Sequence, residues 1–364
     1  MVTSANRDSG RSFDIKRVST GLVSAVVIIG IFWGVLPRIA DFSQVWKTIG
    51  AMTWLEIATL ALASAWNLFT YWLVMIAVLP GLTLGRAALT NMSGAAVSNT
   101  LPGGGAIAVG LTYAMYSSWG FTPSQIALSV LVSGVWNDFI KLGLPVVAVA
   151  LLALQGGAST GLLTAALAGV AMLAAAVALL GLGLWRHELA YRVGARLGVL
   201  VSALRRPFNK PRVSHWGVSA VRIRSEAIDL LARRWGMLPV ASLLSHTALF
   251  LVLLLALRHV GVSEKEVSWV HVLGAFAFMR LVTALPITPG GLGVAELSTT
   301  AALVLAGGDR EQVVAAVLVY RALTFLPPIP IGAVTYLMWR RSQSGRAHAE
   351  RPAAAVPGAP GSGA

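Results

Sequence analysis

Residues 289–296 read Pro-Gly-Gly-Leu-Gly-Val-Ala-Glu, a glycine-rich break that ends in a carboxylate. The break lies between two apolar runs, Trp269–Leu285 and Leu297–Ala306. Helix-breaking backbone at membrane depth is tolerated only where it is buried in protein or lines a wet cavity. An ionisable residue at that depth is costly and often marks a functional site. The stretch therefore predicts the centre of a transporter-like membrane protein.

The composition of the whole chain also indicates a membrane protein. The 364 residues are 56% hydrophobic and 12% charged, whereas soluble domains carry roughly 25% charged residues. Because the chain has no cysteine, disulfides and cysteine-based metal sites are excluded. We find no paired-carboxylate, Ser/His/Asp, zinc or phosphate-loop pattern. We therefore expect no enzyme activity, no cofactor and no metal ion.

The net charge of +14 is distributed in a way that predicts membrane topology. Basic residues are concentrated in the tail 1–19, the central loop 186–235 and the C-terminal tail 341–364, whose Ala/Pro/Gly-rich sequence predicts disorder. Such clusters are typical of the cytoplasmic side. We expect a multi-pass protein of the cytoplasmic (inner) membrane with both termini in the cytoplasm, and no nucleic acid partner. The loop is either a topology signal alone or a surface for anionic lipid headgroups.

The apolar segments predict an all-α polytopic fold. Eight of them lie in residues 20–340, which we interpret as a single transmembrane domain. About six should cross fully, beginning with Gly21–Leu36, because a crossing helix needs ~17–25 residues. The segments 90–119 and 269–306 contain the Pro-Gly-Gly breaks. They are predicted to be re-entrant hairpins, because an even number of crossings must separate the two basic, cytoplasmic regions on either side.

This count depends on how the broken segments run. A full crossing by either of them would change the parity. A division of the long run Pro123–Leu154 at Pro145 would change it as well. We interpret that run as one broken or tilted crossing.

The two broken segments are similar to each other. Aligning residue 102 with residue 289, an offset of 187, gives eleven identities in 31 ungapped positions. The aligned copies begin with the same Pro-Gly-Gly. Halves of about 54–155 and 236–340 would then form an inverted repeat. Discontinuous helices at the interface of such repeats are typical of secondary-transporter sites.

Candidate substrate-binding residues lie at both breaks and in the neighbouring apolar segments. Backbone N–H groups at the start of the helix after each break favour an anion, although the glycines would equally serve to turn and pack a hairpin. Glu296 follows only the second break, because its counterpart is Val109. Its candidate partners are Arg280 and Arg321, in a ligand or coupling site or in a structural ion pair. The candidate set is Asn99, Pro102, Gly103, Gly104, Arg280, Pro289, Gly290, Gly291, Gly293, Glu296 and Arg321.

Four further polar residues in apolar sequence are interpreted more simply. Asp138 and Lys141 are three residues apart on one helix face, which predicts a local ion pair. His246 and His271 are isolated and lack any ligand spacing. We interpret both histidines as packing or interface residues.

The sequence resembles the lysylphosphatidylglycerol synthetase transmembrane-region family, also described as flippase-like membrane proteins. The resemblance rests on Leu285–Glu296, on Tyr320-Arg321 and on the weaker partner Ser98–Gly105. It implies an inner-membrane relative of the flippase half of bifunctional aminoacyl-phospholipid synthases, and kinship with domains attached to glycolipid-assembly enzymes.

Two departures from the family pattern change what the resemblance implies. Residues Ala106–Gly110 are uncharged, where relatives often carry charged residues after the glycines, so the same lipid specificity is not expected. No soluble synthase domain follows residue 340, so aminoacyl transfer is expected to be absent.

Our leading hypothesis is a transporter that moves a phospholipid or lipid-linked headgroup by alternating access around the two hairpins. Membrane lipids with anionic headgroups would be its partners. A carrier of a small anionic solute would use the same helix ends. A non-transporting partner of a lipid-modifying or glycosyltransferase enzyme is the third possibility.

Overall fold

The computed structural model describes residues 42–101, 103–155, 160–206, 215–284 and 288–349. Within these ranges the chain is helical and has no strand, as predicted. The helices are α1 (Phe42–Gly50), α2 (Trp54–Val78), α3 (Leu84–Thr100), α4 (Gly104–Ser118), α5 (Pro123–Leu154), α6 (Thr160–Trp185), α7 (His187–Arg205), α8 (Trp216–Arg234), α9 (Met237–His259), α10 (Trp269–Val282), α11 (Val294–Leu305), α12 (Arg310–Phe325) and α13 (Pro328–Ala349), with a 3-10 turn at Pro289–Gly291.

Five helical segments in the described ranges are long and apolar enough to cross a membrane. They are α2, α5, most of α6, α9, and a segment that joins α12 to α13. These segments coincide with five of the predicted crossings, so the chain is a multi-pass membrane protein. The first predicted crossing, Gly21–Leu36, and the tail 1–19 lie outside the described residues. Helix α5 continues through Pro145 as one helix of 32 residues, which contradicts a division there into two spans.

Each broken segment folds back on itself as a helical hairpin. The first hairpin consists of α3 and α4. Gly81, just before α3, lies against the ring of Phe121, just after α4. The second hairpin consists of α10 and α11. Gly307, just after α11, lies against the backbone carbonyl of Glu266, just before α10. The chain thus enters and leaves each hairpin at the same end of that hairpin.

The two hairpins enter the bundle from opposite ends of α2. The C-terminal end of α2 shares an apolar cluster with the base of the first hairpin, through Leu79, Leu82 and Tyr116. Near the N-terminal end of α2, the side chains of Thr59 and His259 are 2.9 Å apart, and α9 leads from there into the second hairpin. Helix α2 has 25 residues, which is about 37 Å at ~1.5 Å per residue. The hairpin bases are therefore about one membrane thickness apart.

Helix pairs from the two halves hold the hairpins in place. Helix α2 packs along α9, α3 along α13, and α10 along α5. Gly332 permits the close approach of α13 to α3, because any Cβ at this position would overlap the carbonyl of Met92. Ser93 and Thr335 are hydrogen-bonded at 2.9 Å in the same contact. Since lipid tails are as apolar as leucine, this close packing and its hydrogen bond stabilise the pair more than burial does.

The basic loop 186–235 contains the helices α7 and α8, which pack against each other. Two of its arginines cap other helices. Arg234 donates to the carbonyl of Ile76, at the end of α2, and Arg224 donates to the carbonyl of Trp185, at the end of α6. A cation at a helix C-terminus satisfies unpaired carbonyls and the helix dipole. These caps place the basic helices at the same end as the base of the first hairpin.

Helix α13 continues past residue 340, where we placed the end of the transmembrane domain. Residues 341–349, the beginning of the tail that we expected to be disordered, are helical. Part of the reason is an anchor beyond the apolar segment, because Trp339 and Gln343 both donate to the hydroxyl of Ser118, at 3.0 and 3.1 Å. The rest of that tail, 350–364, lies outside the described residues.

Candidate functional site

The tips of the two hairpins meet inside the bundle. Asn99, at the end of α3, donates from Nδ2 to the carbonyl of Phe325 at 3.1 Å. A Cβ on Gly290 would overlap the Phe325 ring and lie 2.9 Å from Asn99 Oδ1. Gly290 has a φ of +58°, and Gly103, at the aligned position of the first tip, has a φ of +67°. Both tips therefore require glycine for the left-handed turn, and Gly290 is also required for space.

A cavity of about 970 Å³ lies beside the joined tips. Its volume is in the upper part of the ~300–1,000 Å³ range of ligand pockets. Helices of both halves contribute to its wall. The polar side chains that line it include Asn67, Tyr71, Asn91, Ser98, Asn99, Asn137, His246, Arg280, Thr283, Thr288, Tyr320, Arg321 and Thr324.

The charge of the cavity wall is positive. Arg280 and Arg321 line it, the described lining contains no aspartate or glutamate, and of the two arginines only Arg321 pairs with a carboxylate behind the wall. The start of α4 also faces the cavity, through Gly103–Ala106, so the positive end of the helix dipole adds to the positive potential. The start of α11 is not part of the wall. The predicted anion-favouring helix end therefore reaches the cavity only in the first hairpin.

Glu296 and Arg321 form a buried ion pair beneath the second tip. Arg321 Nε donates to Glu296 Oε1 at 2.8 Å, and the Glu296 side chain is 2% exposed. Arg321 Nη2 also donates to the carbonyl of Gly290 at 3.0 Å. Its guanidinium lies 4.7 Å from the centre of the Phe325 ring, within cation–π range. The pair thus ties α11, the tip and α12 together, and it selects Arg321 rather than Arg280 as the partner of Glu296.

Arg280 has a different environment. Its Nη2 is 3.3 Å from Asn137 Oδ1 and 3.4 Å from His246 Nε2, and both of these partners are neutral acceptors. Its Nε is buried and has no hydrogen-bond partner among the described residues. A buried guanidinium without a carboxylate is costly, so this group can bind an anion that enters the cavity.

The structure brings most of the sequence-predicted residues to the cavity. Gly293 and Glu296 are buried but do not belong to the cavity wall. Pro289 begins the 3-10 turn, and Pro102 lies outside the described residues. The candidates that line the cavity are Asn99, Gly103, Gly104, Arg280, Gly290, Gly291 and Arg321.

Sequence reasoning missed several residues of the wall. His246, interpreted as a packing residue, lines the cavity and contacts Arg280. Three amides in apolar helices, Asn67, Asn91 and Asn137, also line it, and none of the three was in the candidate set. An amide in an apolar membrane segment needs a polar partner, and this signal could have identified them. The predicted Asp138–Lys141 pair is present at 3.2 Å.

Comparison with known proteins agrees with the resemblance seen in the sequence. The family model of the lysylphosphatidylglycerol synthase transmembrane region matches residues 21–332. The match includes both hairpins and the entire cavity wall. A search of curated proteins found no match to the chain. Because the family model covers most of the chain, this multi-pass membrane protein belongs to the lysylphosphatidylglycerol synthase transmembrane-region family.

Proposed function

We propose that this protein translocates a phospholipid or a lipid-linked headgroup across the cytoplasmic membrane. The observation that carries the proposal is the polar, positively charged cavity where the two hairpin tips meet. Polar groups inside a membrane are costly, and they are typical of substrate pathways. Membership of the family supports a lipid as the cargo.

The side of the cavity between α2 and α4 favours a lipid over a small solute. Helix α4 packs on α3 and α5 but not closely on α2. Tyr71 of α2 and Val109 of α4 line the cavity, although they are 43% and 50% exposed. A gap lined by such side chains would let acyl chains remain in the lipid while the headgroup enters the cavity.

An inverted repeat of the two halves would explain how the cavity could alternate between the two membrane faces. Gly120 and Gly307, at the same sequence offset as the hairpin breaks, both have positive φ, +88° and +105°. Thr122 and Asp309 are likewise aligned, and both cap the following helix through their side chains. The helix contacts between the halves also correspond, since the contact of α3 with α13 matches the contact of α10 with α5. These matches support alternating access.

The two hairpins differ in burial, which suggests which half is open. Helix α11 buries Ala295, Thr299 and Leu303, whereas the middle of α4 is largely exposed. In our proposal the described state is open through the first hairpin, at the end that carries the basic helices α7 and α8. By the positive-inside rule this end faces the cytoplasm. The second state would open through the second hairpin.

Translocation can be tested in proteoliposomes with fluorescent phosphatidylglycerol and a membrane-impermeant quencher. We expect the wild type to expose inner-leaflet lipid to the quencher. Ala106 lines the cavity and is exposed, so Ala106→Trp should obstruct the gap and lower the rate at least tenfold. Leu167→Trp, on the lipid-facing α6, is the matched control and should keep the wild-type rate. No lipid movement by the wild type, or equal rates in both variants, would contradict the proposal.

A further inference from the structure

Among the residues that the structure describes, no carboxylate in the cavity wall pairs with Arg280. The ion pairs among the described residues involve other side chains. The two groups that accept from Arg280 Nη2, Asn137 and His246, are not anions, and its Nε remains unpartnered. An anion in the cavity would therefore meet a guanidinium whose charge is not neutralised by a described carboxylate.

The hydrogen bonds of His246 define its protonation state. Its Nδ1 is 2.9 Å from the backbone carbonyl of Ser242. A carbonyl only accepts, so Nδ1 carries the proton. Its Nε2 faces Arg280, which only donates, so Nε2 presents its lone pair. His246 is therefore neutral, and it holds Arg280 through the nitrogen that a second proton would occupy.

The surroundings oppose a second proton on His246. Arg280 on α10, whose Nη2 is 3.4 Å from Nε2, and Lys141 on α5 are the cations near it. An anion bound at Arg280 would instead favour a second proton on His246, because the anion would attract that proton and accept a hydrogen bond from Nε2. The other titratable groups that face Arg280 or Lys141 are Asp138, Tyr71 on α2 and Tyr320 on α12.

We propose that Arg280 and His246 form a proton-linked anion site, in which an anionic oxygen binds at Arg280 while His246 Nε2 takes up a proton from water. The Arg280–His246 hydrogen bond breaks, and both groups then donate to the anion. One negative and one positive charge enter together, so no net charge is added to the cavity. The inference rests on the proposed function for its ligand class, a phosphodiester headgroup. Transport of that headgroup would carry one proton in the same direction.

Proton linkage has a measurable consequence. If anion binding takes up a proton, anion affinity must rise as pH falls, by up to tenfold per pH unit. Asn137 does not titrate, and it serves as the fixed partner of Arg280 in both states. The same chemistry applies to a lipid headgroup and to a free phosphodiester, so the experiment uses both.

The test is calorimetric binding to the purified full chain in detergent between pH 5.5 and 8.5. The probes are short-chain phosphatidylglycerol and dimethyl phosphate, neither of which titrates in this range. Two buffers with different ionisation enthalpies give the number of protons taken up. We expect affinity to fall up to tenfold per pH unit above neutrality, with uptake near one proton per bound probe. Tighter binding of the lipid identifies a headgroup site, and equal affinities identify a free-anion site with the same linkage.

Variants separate the titrating group from its neighbours. His246→Gln keeps an acceptor for Arg280 but cannot gain a proton, so its binding should not depend on pH. Arg280→Gln should weaken binding more than tenfold. His271→Gln is the matched control, because His271 bonds to Ser268 at the start of α10, outside the cavity wall, and its pH dependence should equal that of the wild type.

Three results would overturn the inference. They are pH-independent affinity in the wild type, binding of neither probe, or the same pH dependence in His246→Gln as in the wild type. The wild-type measurement needs no variant, so a variant that fails to fold does not affect it. Proton-linked binding without lipid translocation in proteoliposomes would refute the proposed function and leave the site intact. Translocation with pH-independent binding would refute the proton-linked site and leave the proposed function intact.

Discussion

The buried pair of Glu296 and Arg321 permits a substitution that changes charge and almost nothing else. In Glu296→Gln, the amide oxygen can take the place of Oε1 and keep the bond from Arg321 Nε, which is 2.8 Å long. The amide nitrogen then takes the place of Oε2, which is buried and has no partner in the described part of the chain. The variant therefore removes the negative charge while preserving the shape of the side chain.

The expected loss of stability follows from burial. Removing one partner of a buried ion pair costs about 3–5 kcal/mol, because the remaining charge is left uncompensated. The Glu296 side chain is 2% exposed, but that of Arg321 is 16% exposed and borders the cavity. Water in the cavity would partly solvate the guanidinium, so we expect the lower end of the range, about 3 kcal/mol. The double variant Glu296→Gln/Arg321→Gln leaves no charge behind and should recover more than half of that loss.

The free energy of unfolding in detergent, followed by tryptophan fluorescence, should be highest for the wild type, lower for the double variant and lowest for Glu296→Gln. Thr299→Val is the matched control, because Thr299 is equally buried on α11 and loses only its bond to the Ala295 carbonyl, a change of about 1 kcal/mol. The reasoning is refuted if Glu296→Gln is as stable as the wild type. It is equally refuted if the double variant is less stable than the single one.

The same variant distinguishes the two roles that the sequence left open for Glu296. Because Glu296 does not line the cavity, a structural pair predicts that folded Glu296→Gln protein moves lipid within a few-fold of the wild-type rate. A loss of more than tenfold in protein whose fold is intact would instead assign Glu296 to coupling. Translocation in proteoliposomes, corrected for the folded fraction, measures the difference.

Three further predictions concern packing, the tips and pH. Gly332→Ala should destabilise the bundle by about 1–3 kcal/mol through overpacking against Met92, whereas Gly110→Ala, with open space around it, should not lower the unfolding temperature. Asn99→Leu removes the bond from the first tip to the Phe325 carbonyl at the end of α12 and should lower the translocation rate while the unfolding temperature falls only slightly. Hydrogen bonds from the backbone and side chain of Ser263 lower the pKa of Glu266, so its contribution is present above the usual glutamate pKa and is lost as pH falls through the lowered value. Glu266→Gln should therefore narrow the difference in unfolding temperature between neutral and acidic pH, and an unchanged difference would contradict this assignment.

Local signals were enough to predict the hairpins. A Pro-Gly-Gly break needs no distant information to interrupt a helix, and the helices on either side of each break pack against each other. The choice between Arg280 and Arg321 could not be made in this way, because both are arginines within apolar helices. It depends on the packing of α11 against α12, which brings Arg321 and not Arg280 to Glu296.

The contact between His246 and Arg280 was beyond sequence reasoning for a similar reason. The two residues are 34 positions apart on different helices, and neither helix shows a polar stripe that predicts their meeting. The helical continuation of α13 past residue 340 depends in the same way on distant contacts, since Ser118 lies at the base of the first hairpin. Periodicity can place a residue on a face, but only packing determines what that face meets.

The two hairpins share a break and differ at the aligned position that follows it. Glu296 is buried in an ion pair that holds the second tip against α12, whereas Val109 is half exposed in the cavity wall. If the two hairpins open in turn during transport, the free energies of the two openings differ. Opening the second hairpin must disturb an ion pair, and opening the first need not. The state open through the first hairpin should therefore be the more stable one without cargo. Cargo would then have to bind more tightly to the other state to shift the population, since a ligand shifts an equilibrium only by its difference in affinity for the two states.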